Sequence, residues 1–135
     1  MNIFKLEMFT PKKMFFSGEV ESLIFEGSNG KMGIQAGHHP MVAALKSGEI
    51  SLKIENEWKN AFAAEGFIEV RKDEVLIFAH HCEWPEDIDE AKAKAALERD
   101  TEQLRNAESF LEHLSAQIQL QRITALLNVK NKSGR

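Results

Sequence analysis

The sequence predicts an α+β protein in which an N-terminal all-β sandwich is followed by a C-terminal two-helix hairpin. Seven of the eight glycines lie before position 67, and ten of the eleven aromatic residues lie before position 85. Apolar residues alternate with polar ones as far as residue 79 and then recur with a helical period. From Pro85 onward the composition changes to Ala, Leu, Glu, Gln, Lys and Arg, which is typical of helices. We therefore assign residues 1–86 to a β-sandwich domain and residues 87–135 to a helical arm.

Short segments of alternating hydrophobicity predict the strands of the sandwich. Turn residues recur roughly every ten positions between these segments, which is typical of a sandwich or barrel. The run Gly27-Ser28-Asn29-Gly30 is a strong hairpin signal because asparagine and glycine tolerate the backbone angles of a two-residue turn. The predicted strands include residues 4–8, 19–25, 50–54, 58–62, 68–70 and 75–79.

Two capping signals predict helices at about 88–106 and 109–128, followed by a disordered tail. Asp87 with Glu90 forms a capping box at the first start, and Ser109 with Glu112 forms another at the second. No glycine or proline enforces a break between them, so a single extended helix is the alternative to a hairpin. An apolar seam runs through both helices at every seventh residue, formed by Leu97, Leu104, Leu111, Ile118 and Ala125.

Composition excludes several classes of function. The chain has 17 basic and 21 acidic residues and a net charge of −4, which gives no electrostatic surface for nucleic acid. Its longest apolar runs are about five residues, whereas a membrane-spanning helix needs about 20. The N-terminus lacks a signal-peptide pattern, and the single cysteine, Cys82, cannot form an internal disulfide. We expect a soluble cytosolic protein with no membrane span and no nucleic-acid partner.

Candidate catalytic and metal-binding residues do not form a recognisable site. Adjacent residues on a strand point to opposite faces, which would be poor chelating geometry for His80 with His81 or for His38 with His39, and we expect the latter two to be loop residues before Pro40. Cys82 lacks an orienting third group, and no nucleophile elbow or phosphate-binding loop occurs. The sequence therefore predicts a protein that is not an enzyme, with no catalytic residue and no metal. A small zinc hydrolase built on His80 and Cys82 is the competing hypothesis.

Four short segments resemble the epsilon subunit of bacterial F-type ATP synthase, in order along the chain. The longest is similar to that family's Gly-Ile-Leu-Pro-Gly-His-x-Pro-Leu signature and reads Gly33-Ile34-Gln35-Ala36-Gly37-His38-His39-Pro40-Met41. The others are Thr10-Pro11 with Ser17-Gly18-Glu19-Val20-Glu21, Glu65-Gly66-Phe67-Ile68-Glu69-Val70, and Glu86-Asp87-Ile88-Asp89. The chain departs from the family pattern at Gln35-Ala36 (for Leu-Pro), at Glu65 (for glycine) and at His80 (for aspartate).

The resemblance implies a non-catalytic rotor subunit. The sandwich would bind the gamma subunit and rest on the c-ring, and the arm would fold down or rise into the head of alpha and beta subunits to oppose ATP hydrolysis. The protein would be peripheral, on the cytoplasmic face of the cell membrane. The implied partner contacts are His38, Arg122, Lys130 and Lys132. The alternative is a β-sandwich adaptor outside any synthase, with its helices serving as a dimerisation hairpin; co-purification with gamma distinguishes the two.

The resemblance also implies ATP as a weak regulatory ligand, and no other cofactor. Family members that bind ATP carry Ile-Asp-x-x-Arg-Ala, and the matching run here is Ile88-Asp89-Glu90-Ala91-Lys92-Ala93. Lysine keeps the charge at this position but lacks the planar fork of arginine, and Leu126 stands where a further arginine is expected. The implied nucleotide-binding residues are Glu83, Ile88, Asp89, Lys92, Arg99 and Arg122.

Overall fold

Alternating apolar and polar residues give ten strands in the N-terminal part of the chain. The computed structural model describes residues 2–133. The strands are β1 (Phe4–Phe9), β2 (Met14–Val20), β3 (Ser22–Gly27), β4 (Gly30–Gln35), β5 (Met41–Leu45), β6 (Gly48–Ile54), β7 (Glu57–Ala63), β8 (Gly66–Val70), β9 (Glu74–Ala79) and β10 (Cys82–Glu83). A 3₁₀ turn (Pro85–Asp87) leads to helices α1 (Glu90–Arg105) and α2 (Phe110–Ser133). The predicted fold class, a sandwich followed by a two-helix hairpin, is confirmed.

The strands form two five-stranded sheets. The first sheet has the order β2-β1-β9-β8-β5 and the second β10-β7-β6-β3-β4. Neighbouring strands are antiparallel except β1 and β9, which run parallel. The turn predicted at 27–30 joins β3 to β4, with Gly27 opposite Gly30. The alternation of the strands buries one face of each sheet and leaves the other face for solvent or a partner.

The main hydrophobic core lies between the two sheets. Among the described residues it consists of 17 buried side chains, and none of these comes after Cys82. Trp84 packs against its edge and stacks on Phe15, with the ring centroids 4.6 Å apart. A second, smaller core lies outside the sandwich and contains Phe62, Ala64, Ile88 and Val129. The helices therefore share only the smaller core with the strands.

The helix boundaries correct several sequence-based expectations. The first helix starts at residue 90, because its cap is Asp89, whose carboxylate accepts the Lys92 N–H at 3.1 Å, and not Asp87. Ser109 caps the second helix by accepting the Glu112 N–H at 3.1 Å, and the chain breaks over 106–109, which rules out a single extended helix. The second helix continues to Ser133, five residues past the expected end, so residues 129–133 are not a disordered tail. The last two residues of that expected tail lie outside the described residues.

The helical arm lies folded against the second sheet, with α2 packed on β6, β7 and the 3₁₀ turn. The predicted heptad seam is only partly buried. Leu111 is 74% exposed and Ile118 is 36% exposed, whereas the buried residues of the hairpin include Ala93, Asp100 and Ala116. Small alanines allow the helices to lie close together, and α2 turns a different face to the sandwich. In the part of the chain that the structure describes, no helix has the length and apolarity to cross a bilayer.

Candidate functional site

Three cations of α2 connect the arm to the sandwich, and they are the three helix residues expected to contact a partner. Arg122 pairs with Glu65, Lys130 donates a hydrogen bond to the Pro85 carbonyl oxygen at 3.0 Å, and Lys132 pairs with Glu49. The partners precede these cations by 45 to 83 residues. In the folded arrangement these side chains therefore stabilise the contact between the helix and the sheet.

Arg122 and Glu65 form a bidentate ion pair. The Arg122 Nε–H donates to the two carboxylate oxygens at 2.7 and 2.9 Å, and its Nη2 also donates to Oε2. The Ser47 hydroxyl donates to Glu65 Oε1 at 3.2 Å and accepts the Glu65 N–H at 3.0 Å, which orients the carboxylate. Burial alone would raise the pKa of Glu65, but the hydrogen bond from Arg122 and the other interactions hold it below its ordinary value.

A second ion pair lies at the far end of the same interface. Lys132 Nζ is 2.9 Å from Glu49 Oε1, and the Glu49 side chain is only 13% exposed. Glu49 is paired with Phe62 across β6 and β7, and Phe62 belongs to the smaller core that α2 covers. The interface therefore has a short apolar centre with a carboxylate–cation pair on either side.

An open cleft of about 480 Å³ lies between the arm and the sandwich. Arg99 of α1 and Arg122 of α2 both line it, together with the buried Asp100. Lys12 and His81 contribute further basic groups from the sandwich side. The cleft is within the size range of small-molecule sites and carries the groups that would attract an anion. Part of that positive charge is neutralised by Glu65.

The other residues expected to bind nucleotide lie elsewhere. Four of the six expected nucleotide-binding residues, all within the described part of the chain, do not line this cleft. Ile88 is buried in the smaller core, and the Asp89 carboxylate caps α1. Glu83 lies on β10 with its Oε2 3.4 Å from His81 Nε2, and Lys92 is exposed on the first turn of α1. The structure therefore brings together Arg99 and Arg122 and leaves the rest of the expected set apart.

The two histidine pairs lie in loops, whereas the cysteine lies on a strand. His80 and His81 connect β9 to β10 and both line the cleft, so the expectation that they lie on a strand and point to opposite faces is wrong; the Cys82 side chain points into the main core. Burial raises the pKa of the Cys82 thiol to about 12, which leaves it protonated at neutral pH. His38 lies in the loop between β4 and β5, where its Nδ1 is 3.1 Å from the His39 carbonyl oxygen. Within residues 2–133, no three His, Cys, Asp or Glu side chains are grouped as metal ligands.

The outer face of the first sheet carries a row of stacked aromatic rings. Phe78 lies between Phe9 and Phe67, with centroid distances of 5.4 and 4.8 Å. Phe67 is 46% exposed, and Val42 on the neighbouring strand β5 is 70% exposed. This face lies on the opposite side of the sandwich from α2, and it is an apolar surface of the kind that protein partners cover.

Sequence reasoning missed the acids that hold the arm. Glu65 stood out only as a departure from the glycine of the resembled motif, and Glu49 and Ser47 gave no signal. The strand pairing of β6 with β7 brings them to one end of the second sheet. The charge count of α2 does show that the helix is cationic, because its one carboxylate, Glu112, stands against Arg122, Lys130 and Lys132. Such a helix predicts acidic partners without identifying them.

Comparison with known proteins gives this arrangement a family. The beta-sandwich domain of the ATP synthase delta/epsilon chain matches residues 3–85, and its long alpha-helix domain matches residues 86–131. The chain belongs to the ATP synthase delta/epsilon chain family. The ATP synthase epsilon chain of Caldanaerobacter subterraneus is 39% identical over 130 residues, which cover 96% of this chain and 94% of the relative. That of Ruminiclostridium cellulolyticum is 39% identical over 132 residues, covering 98% of each chain.

A solved structure agrees with the delta/epsilon fold. A chain of the Euglena gracilis mitochondrial ATP synthase, in its OSCP/F1/c-ring assembly, superposes with a TM-score of 0.77 at 21% identity. The match covers 91% of this chain and 78% of the other. At this identity the similarity concerns the fold alone, and it extends across both the sandwich and part of the arm.

Proposed function

We propose that this protein is a non-catalytic rotor subunit of a bacterial F-type ATP synthase. Its sandwich couples the gamma subunit to the c-ring, and its helical arm opposes ATP hydrolysis. The observation that carries the proposal is the match of both family domains, in order, over residues 3–131. The subunit is peripheral, on the cytoplasmic face of the cell membrane, through its attachment to the complex.

The contact between arm and sandwich supports a movable arm. Among the described residues its apolar part is a small core of four buried residues, with Ala125 and Leu126 packed against it, and ion pairs add to the contact. At the turn between the helices, Phe110 and Leu111 are 79% and 74% exposed. In an arm that stays on the sandwich, these apolar side chains remain in contact with water. An arm that packs against other subunits when raised would bury them.

Removal of the arm tests the inhibitory function. In the truncated chain, residues 88–135 are deleted. We expect the complex that contains it to assemble and to synthesise ATP, because the main core and the outer face of the first sheet are intact. Its hydrolysis rate should exceed that of the complex with the full chain. A complex lacking the chain altogether serves as the control for assembly. Equal hydrolysis rates with the full and truncated chains would contradict an inhibitory arm.

The cations of α2 would exchange partners as the arm rises. In the raised arm we propose that Arg122 and Lys130 face an acidic segment of the beta subunit in place of Glu65 and the Pro85 carbonyl oxygen. An exposed ion pair contributes only about 0.2–1 kcal/mol, and more when it is desolvated. Alanine at both positions should reduce inhibition and its sensitivity to salt. Undiminished inhibition in the double variant would mean that apolar contacts alone hold the raised arm.

The row of aromatic rings on the first sheet supports the coupling function. We propose that gamma binds this face, and His38, in the loop before β5, would extend the contact. The variant Phe67→Ser should co-purify less gamma than the unchanged chain. Trp58→Ser is the matched control, because Trp58 is exposed to a similar extent, 48%, on the other sheet. Equal losses in the two variants would argue against this face.

Weak ATP binding is a second candidate function, and it is favoured by the presence of Arg99 and Arg122 in one cleft. ATP would compete with Glu65 for Arg122, so we expect any binding to be weak. Calorimetry on the full chain should show lower affinity after Arg99→Gln. If Lys92 reaches the phosphates, Lys92→Arg should tighten binding by about 1 kcal/mol through a bidentate contact. Absence of heat from every variant would leave these residues as surface charges.

A further inference from the structure

The position of the arm depends on few interactions, so a single ion pair can change it. In the described part of the chain, the apolar contact between arm and sandwich is the small core around Val129, with Ala125 and Leu126 packed against it. Within residues 2–133, the polar contacts include those of Arg122, Lys130 and Lys132. Lys132 is an exposed, single-point contact, whereas Arg122 makes three hydrogen bonds to one carboxylate. Among these three contacts, the Arg122 pair therefore has the most hydrogen bonds, and they are charge-assisted.

Glu65 is held ready for Arg122 by the sandwich itself. Its hydrogen bonds with Ser47 involve both its backbone N–H and its carboxylate, so the acid is oriented by the loop between β5 and β6, which belongs to the sandwich and not to the arm. Only Arg122 leaves when the arm leaves. The side chains of Arg122 and Glu65 are 30% and 39% exposed, so water can replace each partner and the pair can open and close reversibly.

The charges of the cleft give this acid a particular effect on the arm. Arg99 and Arg122 line the same cleft on the two helices, and Glu65 supplies an anion to it from the sandwich. Both arginines belong to the arm, so loss of Glu65 would remove the anion through which the sandwich attracts this positive charge, which would weaken the docking of α2 on the sheet. The sequence carries this acid at a position where the resembled motif has glycine.

We propose that Glu65 is a latch that keeps the helical arm folded on the sandwich through its bidentate pairing with Arg122. The latch sets the fraction of arms that are free to rise, and it acts without a bound nucleotide. The inference extends the proposed function to its regulation. It concerns the isolated chain, however, so it can fail while the inhibitory function stands, and the reverse also holds.

Amide hydrogen exchange on the full-length chain tests the latch. Exchange of the α2 amides between residues 122 and 132 reports the opening of the arm, and exchange in β1 and β9 reports the sandwich. In Glu65→Gln we expect opening of the arm to increase by about fivefold, the upper end for an exposed pair, with the sandwich unchanged. Glu69→Gln is the matched control, because it removes an ion pair with Arg71 that does not touch the arm.

A reciprocal variant keeps the test decisive. Arg122→Gln should raise opening by a similar factor, and the double variant should open no more than either single one, because both lose the same contact. If Glu65→Gln fails to fold, Arg122→Gln provides the comparison. Exchange in α2 equal to that of the unchanged chain and of Glu69→Gln would overturn the proposal, as would full additivity in the double variant. Carbodiimide coupling of Lys132 to Glu49, 2.9 Å apart, should fall in parallel with the loss of docking.

Discussion

Removal of the arm should leave a stable sandwich, because the two cores of the protein are separate. The 17 residues of the main core all precede residue 86. A chain ending at residue 86 loses Ile88 and Val129 and therefore exposes Phe62 and Ala64, which are 2% and 1% exposed in the full chain. Burial of a phenylalanine side chain contributes about 1.5–3 kcal/mol and a methyl group about 0.8 kcal/mol. We expect truncation to lower the free energy of unfolding by about 2–4 kcal/mol, against a typical total of about 5–15 kcal/mol.

Urea and thermal unfolding of the two chains, followed by far-UV circular dichroism, measure this difference. A second change sharpens the comparison. Phe62→Ser should destabilise the full chain by about 3 kcal/mol, because it removes the largest side chain of the smaller core. It should cost the truncated chain much less, because Phe62 is already exposed there. A truncated chain without a cooperative transition would refute the separation of the cores. Equal costs of Phe62→Ser in both chains would show that α2 does not protect this residue.

Three further predictions concern the strands and the interface. Gly66→Ala should lower the free energy of unfolding in urea by about 3 kcal/mol or more, because a Cβ there would lie 1.8 Å from a β9 carbonyl oxygen. Gly33→Ala is the control and should cost far less, because the nearest atom to its Cβ would be 3.9 Å away. Cys82, with its pKa raised to about 12, should react with iodoacetamide at pH 8 much more slowly in the native chain than in urea; equal rates would contradict its burial. The pKa of Glu65 is lowered from 4.5, so its contribution to docking is complete above that value and is lost as the pH falls through the lowered pKa. NMR shifts of α2 amides should show this step in the unchanged chain but not in Glu65→Gln.

Local patterns in the sequence predicted the architecture because each of them acts over a few residues. The change of composition at Pro85 separated strands from helices, and the run from Gly27 to Gly30 located a hairpin. The capping residue Ser109 identified the start of α2 although no glycine or proline marks the break. The heptad seam did not predict burial correctly, because Leu111 in this seam is exposed. A period of seven predicts which residues can meet, but their burial depends on which face of α2 the sandwich covers.

The sequence by itself determined that α2 is a cationic helix in need of acidic partners, since Glu112 is its one acid against three basic residues. Only the tertiary structure decided which acids these are, because Glu65 lies 57 residues from Arg122 and Glu49 lies 83 residues from Lys132. An ion pair forms where two packed elements bring side chains within about 4 Å, and that distance depends on the docking of helix on sheet. No pattern along the chain encodes this docking, because it results from the summed packing of the smaller core.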